Sequence, residues 1–143
     1  MKILITYASK SGAARECSLL LQKELSGSTV FDLNHGIPAL DDYDMIVIGS
    51  GVRMGKLYKP VKNFIRENQE VLLKKQTVYF LCNAYPDTIQ KTIKSNFAPE
   101  LIDSAICIES FGGYTPFSPP KGDPTTGLDV ENIKKVAGKI RGF

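Results

Sequence analysis

Residues 3–21 read ILITYASKSGAARECSLLL, and the change of period inside this stretch decides the fold. An apolar run stops at Tyr7-Ala8, gives way to Ser9-Lys10-Ser11-Gly12, and a helical pattern starts at Ala13. The stretch predicts a strand, a tight turn and a helix. A helix N-terminus offers unpaired N–H groups and a partial positive charge, which together suit a phosphate. Ser9 and Ser11 add hydroxyls, and Gly12 lets the backbone approach a ligand closely. A serine cap on the first helix accounts for one of the two serines but not for the cluster.

The rest of the chain alternates in the same way. Strands are expected at Lys2–Tyr7, Thr29–Asp32, Met45–Gly49, Thr77–Cys82 and Ala105–Phe111. Ile46-Val47-Ile48 and Val78-Tyr79-Phe80-Leu81 are continuous apolar runs, as in strands covered on both faces. Between the strands, apolar residues fall at turn spacing. The first helix carries Ala14, Cys17, Leu21 and Leu25, with Gly27 placed to end it. The next carries Val61, Phe64, Ile65 and 68–72, entered through Pro60. A third carries Ile89, Ile93 and Phe97, with Asp87 as its cap and Pro99 as its stop. The last carries Val130, Ile133, Ala137 and Ile140, capped by Asp129. Residues 34–44 hold Gly36 and Pro38 and read as a loop or single turn. Five strands joined by helical crossovers imply an α/β, doubly wound parallel sheet with helices on both faces. With 143 residues, a single domain over 1–143 is expected.

Composition narrows the function. The chain is 43% hydrophobic and 23% charged, with no apolar stretch long enough to cross a bilayer, so no stable membrane insertion is expected. Met1-Lys2-Ile3 runs straight into a strand, and a soluble, cytoplasmic protein follows as the expectation. Cys17, Cys82 and Cys107 are widely spaced within apolar runs, and the single histidine, His35, sits in a turn. That set makes a metal site improbable. The net charge is only +3, and Lys74-Lys75 and Lys134-Lys135 are the only adjacent lysine pairs, too sparse for a nucleic-acid stripe.

In an open parallel sheet, ligands bind beyond the carboxyl ends of the strands, where the strand order reverses. The loops there are Ala8–Ala13, Ser50–Tyr58, Asn83–Pro86 and Phe111–Gly127, which hold most of the glycines, hydroxyls and aromatics. No GxxxxGK[ST] occurs, which argues against a P-loop nucleotidase. Gly49-x-Gly51-x-x-x-Gly55 has the wrong spacing for a dinucleotide fingerprint and follows the third strand, not the first. A phospho-receiver would need acidic residues where Ala8-Ser9 and Gly49-Ser50 stand.

The order of elements, with ITYASKSGAA and IVIGSGVRMGKLYKPVKNFI, resembles a flavodoxin-type FMN domain over essentially the full chain. Within that superfamily the chain is most similar to the menaquinone-dependent protoporphyrinogen oxidase branch, through the loop Gly49–Gly55, the helix Pro60–Asn68 and Tyr43-Asp44. The resemblance implies a sheet order of 2-1-3-4-5 and FMN as cofactor. The family's phosphate loop reads T-x-T-G-x-T; here Ser9, Lys10, Ser11, Gly12, Ala13 and Ala14 stand in it. Ala14 lacks the last hydroxyl, and Lys10 can compensate for it. Ser50, Gly51, Val52, Arg53, Met54, Gly55 and Lys56 correspond to the flavin-ring loop, where glycine eases a peptide flip. Met54, Leu57 or Tyr58 would cover a ring face; packing under the following helix is the other role open to Leu57 and Tyr58. Asn83, Ala84 and Tyr85 would form the opposite side, with Tyr85 stacking; Gly113 and Tyr114 would also contact the cofactor, and Tyr114 and Phe117 would form the rim or equally just anchor a long loop. Arg53 and Lys56 would favour an anionic reduced ring.

The implied function is an FMN-dependent electron-transfer flavoprotein shuttling one or two electrons, with no catalytic side chain of its own. Its partner would be a soluble redox protein or a small-molecule electron acceptor. A quinone-linked protoporphyrinogen oxidase is the first alternative. The segment GGYTPFSPPKGDPTTG (112–127) departs from that branch by lacking an apolar or basic helix, and favours a soluble partner. A non-redox anion- or protein-binding module on the same fold is the second.

Overall fold

The structure is a computed structural model describing residues 1–83, 85–114 and 120–143. Strand β1 (Ile3–Ala8) leads into helix α1 (Ala13–Glu24), followed by β2 (Thr29–Asp32). Strand β3 (Met45–Arg53) turns back into the short β4 (Lys56–Leu57), and α2 (Lys59–Glu67) and α3 (Gln69–Lys74) follow. Then come β5 (Gln76–Cys82), α4 (Ile89–Asn96), α5 (Pro99–Ser104), β6 (Cys107–Ser110) and α6 (Val130–Arg141).

Five strands lie parallel in the order β2-β1-β3-β5-β6, the order expected once β4 is set aside. The register runs Val30–Ile5–Val47–Val78–Cys107 across the sheet. Alternation along each strand sends neighbouring side chains to opposite faces. Ile3, Ile5, Val47, Val78 and Phe80 meet α1 and α6 on one face. Leu4, Ile46, Ile48, Tyr79 and Leu81 meet α2 to α5 on the other. Both layers are closed, which is why the central strands are apolar without alternation.

Five local expectations are corrected. The sixth strand arises because β3 continues past Gly49: Val52 pairs with Leu57 and Arg53 with Lys56 across a two-residue turn. Both turn residues, Met54 (φ 54°) and Gly55 (φ 75°), are left-handed, as the commonest two-residue hairpin turn requires. The second helix is two, broken at Asn68, whose side-chain amide donates to the Phe64 carbonyl. Pro99 stops nothing by itself; α4 ends at Asn96, and Pro99 opens α5, where its missing N–H costs nothing. Asp87 lies in a 3-10 turn ahead of α4, and α1 ends at Glu24 with the left-handed Gly27 in the turn beyond. Asp129 does cap α6, accepting from the Asn132 N–H at 3.1 Å.

Tyr79 is fully buried against Phe97, with ring centroids 4.9 Å apart. Its hydroxyl and that of Thr77 are buried together without meeting the geometry of a hydrogen bond. Burial pushes the Tyr79 hydroxyl up to about 12, opposed only by Thr77. The unfolded chain ionises this group near pH 10, so between about pH 10 and 12 the folded state holds a proton that the unfolded state has lost. Stability is expected to fall by roughly 2–3 kcal/mol across that window. Tyr79→Phe should flatten this arm in denaturant titrations at about pH 9 and 11.5; an unchanged slope would refute the assignment.

Candidate functional site

The carboxyl ends of β1, β3 and β5 open onto one cleft of about 1340 Å³. It lies where the chain order reverses between β1 and β3, the position at which such sheets bind ligands.

At one end stands the turn into α1. Gly12 is left-handed (φ 96°), a conformation only glycine adopts without strain. Ser9 Oγ accepts from the Gly12 N–H at 2.9 Å, and Ser11 Oγ from the Ala13 N–H at 3.5 Å. Gly12, at the cap position of α1, has no side chain to cap it, and apart from the long Ser11–Ala13 contact the first helix N–H groups have no side-chain partner among the described residues. Lys10, Ser11 and Ala13 line the cleft, and so does Tyr114 beside them. The Tyr114 ring is 4.0 Å from where a Gly12 side chain would begin, and its hydroxyl donates to the Pro124 carbonyl at 2.7 Å.

The β3–β4 hairpin forms the second wall. Gly51, Val52, Arg53, Met54, Gly55 and Lys56 all line it. Asn96 of α4 fixes the hairpin: its amide donates to the Gly55 carbonyl at 2.8 Å, and its oxygen accepts from the Leu57 N–H at 3.2 Å. Leu57 is buried in the core, whereas Tyr58 lines the cleft with the Lys10 ammonium 5.1 Å from its ring centre. The Tyr58 hydroxyl is held above its ordinary value, chiefly by burial, then by Cys82, against the pull of Arg53.

The third wall follows β5. Asn83 Oδ1 accepts from the Tyr85 N–H at 2.9 Å while its amide donates to Thr88 Oγ1 at 3.0 Å, a side-chain turn that presents Tyr85 outward. Tyr85 lines the cleft and is 57% exposed. Beneath it, the Cys82 thiol donates to Cys17 Sγ at 3.7 Å. This contact, with burial, holds Cys82 well above its ordinary value, so it is a protonated, packed thiol.

Several predicted residues stand elsewhere. Ala14 is fully buried among core residues, so its side chain faces the sheet and not the cleft. Ser50 is buried and spent on structure: its hydroxyl donates to the Gly51 carbonyl and accepts from the Tyr58 N–H. Ser9 and Gly12 shape the turn without lining the cleft, and Gly113 pairs with the Gly127 carbonyl. Ala84 and Phe117 lie outside the described residues. The bare backbone at Gly51 makes room for protein: a Cβ there would fall 2.5 Å from the Tyr58 ring. Lys62, Cys82, Lys91 and Asn96 line the cleft without having been predicted. They come from α2, β5 and α4, and no local spacing marks them.

Among the described residues, five cations line the cleft: Lys10, Arg53, Lys56, Lys62 and Lys91. No carboxylate does. The ion pairs found (Arg15–Glu16, Lys139–Glu109 and Arg141–Glu24) involve none of the five.

A doubly wound sheet with a hydroxyl-rich turn at its switch point defines a flavodoxin-like α/β protein. The flavodoxin-domain family matches residues 4–116, and the chain belongs to that family. The fold is also that of a flavoprotein in complex with FMN from Lactobacillus acidophilus (20% identity; 76% of this chain and 92% of that one; TM-score 0.61). Oxidised flavodoxin 1 from Bacillus cereus matches over 99% of this chain and 98% of its own, at 19% identity and TM-score 0.57. A WrbA-like flavodoxin from Agrobacterium tumefaciens matches over 99% and 98%, at 13% identity and TM-score 0.63. Compared with curated proteins, the sequence finds no match.

Proposed function

We propose that this protein binds FMN in the cleft and serves as an electron-transfer flavoprotein. The observation that carries this is the N-terminus of α1, entered through left-handed Gly12 at the switch point, with no cap from the Gly12 position, and opening directly into the cleft. Free helix N–H groups, the Ser11 hydroxyl and the Lys10 ammonium are what a dianionic phosphate monoester requires. The aromatic walls at Tyr58 and Tyr85 suit a flat ring system, whereas Met54 stands 93% exposed at the rim. FMN supplies the redox chemistry when bound. The chain's own residues bind and orient it, and Arg53 and Lys56 place positive charge in the same cleft. No nucleophile or acid–base pair is needed for that role.

The test is direct. Apo-protein titrated with FMN should quench its fluorescence and stay yellow after desalting; a colourless protein that leaves the fluorescence unchanged would overturn the proposal in favour of a non-redox module. In the loaded protein, Lys56→Glu should lower the potential for forming the reduced anionic ring by tens of millivolts, and an unchanged potential in a redox titration would refute the charge effect.

The finer reading, a quinone-linked protoporphyrinogen oxidase, is supported by the likeness of 49–55 to that branch. Porphyrinogen oxidation with a quinone acceptor decides it. No described helix is long and apolar enough to cross a membrane, and a soluble redox partner in the cytoplasm remains the reading we favour.

A further inference from the structure

The positive charge in the cleft exceeds what one phosphate needs. Lys10 lies at the phosphate end, beside Tyr58. Arg53, Lys56, Lys62 and Lys91 come from three separate elements, the hairpin, α2 and α4. All four are exposed, and none makes an ion pair with a described residue. The whole chain carries 18 basic and 15 acidic residues, yet no described acid lines the cleft. Met54 stands among these cations, 93% exposed, the most exposed large apolar side chain described. Its position is held: the turn is left-handed, and Asn96 ties the hairpin to α4.

We propose that this face docks a protein with an acidic surface, and that Met54 fills the centre of the contact. The proposal deepens the electron-transfer reading and rests on it for what the partners exchange. An apolar centre ringed by charge is the layout of a transient protein interface. Unpaired, exposed cations of one sign accelerate encounter with an oppositely charged partner and give a strong salt dependence. A small anion would instead be met by groups converging on one point, as at the turn into α1. Here the four are exposed and distributed, and the apolar side chain projects outward.

The experiment uses amide shifts of the full-length ¹⁵N-labelled protein, with and without FMN. The probes are a small iron–sulfur protein of strongly negative charge and a basic haem protein of similar size. At about 20 mM salt the acidic probe should shift amides in 53–57 and in the facing parts of α2 and α4, with binding weakened at least roughly tenfold at about 300 mM. The basic probe should shift none of them. The double variant Lys62→Glu/Lys91→Glu should weaken the acidic probe by at least about tenfold, and Met54→Asp should weaken it at both salt concentrations. The proposal is overturned if the acidic probe fails to bind at low salt, if salt and charge reversal leave its affinity unchanged, or if the basic probe binds equally. It is also overturned if tripolyphosphate saturates the same amides while the acidic protein does not, since the face is then a small-anion site. Docking by apo-protein that cannot take up FMN would sink the flavin reading and leave this one standing.

Discussion

Ser11→Asp is expected to move stability and cofactor affinity in opposite directions. Ser11 is exposed at the mouth of the phosphate end, two residues ahead of the first position of α1, and makes only a 3.5 Å contact to the Ala13 N–H. A carboxylate there faces the positive end of a helix whose cap residue, Gly12, has no side chain, and should stabilise the apo-protein by about 0.3–1 kcal/mol. The same carboxylate competes for the N–H groups a phosphate would use. Repulsion between it and a dianion about 5 Å away, at an effective dielectric near 20, is of the order of several kcal/mol before salt screening. FMN affinity should therefore fall by roughly 100-fold or more, read by fluorescence titration beside urea unfolding of the apo-form. A loss of stability and affinity together would mean merely a damaged fold. An unchanged affinity would remove the phosphate from this turn.

Gly49→Ala is expected to be the most damaging single methyl in the molecule. Gly49 lies within β3, paired with Tyr7 on one side and Phe80 on the other. A Cβ on it would fall 2.0 Å from the tip of the Phe80 ring and 2.4 Å from the two flanking carbons. That ring cannot withdraw: it is fully buried and stacked on Phe111, itself fully buried, with centroids 4.8 Å apart. Overpacking a core ordinarily costs 1–3 kcal/mol. Here the contact is with a rigid ring at the sheet centre, so a loss of about 3 kcal/mol or more is expected, a large share of a typical domain's stability. Chemical denaturation measures it. Phe80→Leu should recover part of the loss in the double variant, giving a coupling of at least about 1 kcal/mol. A midpoint within error of the parent protein would show that β3 shifts to accommodate the methyl.

The glycines show how far the sequence could be read. Gly12 was legible because its reason is local: a strand must turn into a helix within four residues, and one backbone position there is left-handed. Gly49 and Gly51 look like parts of a ligand loop in the sequence, but each makes room for an aromatic ring, Phe80 in one case and Tyr58 in the other. Nothing near them in the chain announces that for Gly49. The hairpin at Met54-Gly55 was equally hidden. Methionine rarely takes a left-handed turn, and the hydrogen bonds that hold this one come from Asn96, 41 residues beyond Gly55.

The sequence by itself determined the alternation of strands and helices, the parallel sheet and the turn at Ser9–Gly12. These follow from side-chain period and from backbone preferences within a few residues. Only the tertiary structure decided that Ala14 faces the core, that Ser50 is spent on the Tyr58 N–H, and that Lys62 and Lys91 join Arg53 and Lys56 around one cleft. Such placements depend on how separate helices pack on a twisted sheet, and residues with no periodic relation along the chain become neighbours only when that packing is complete.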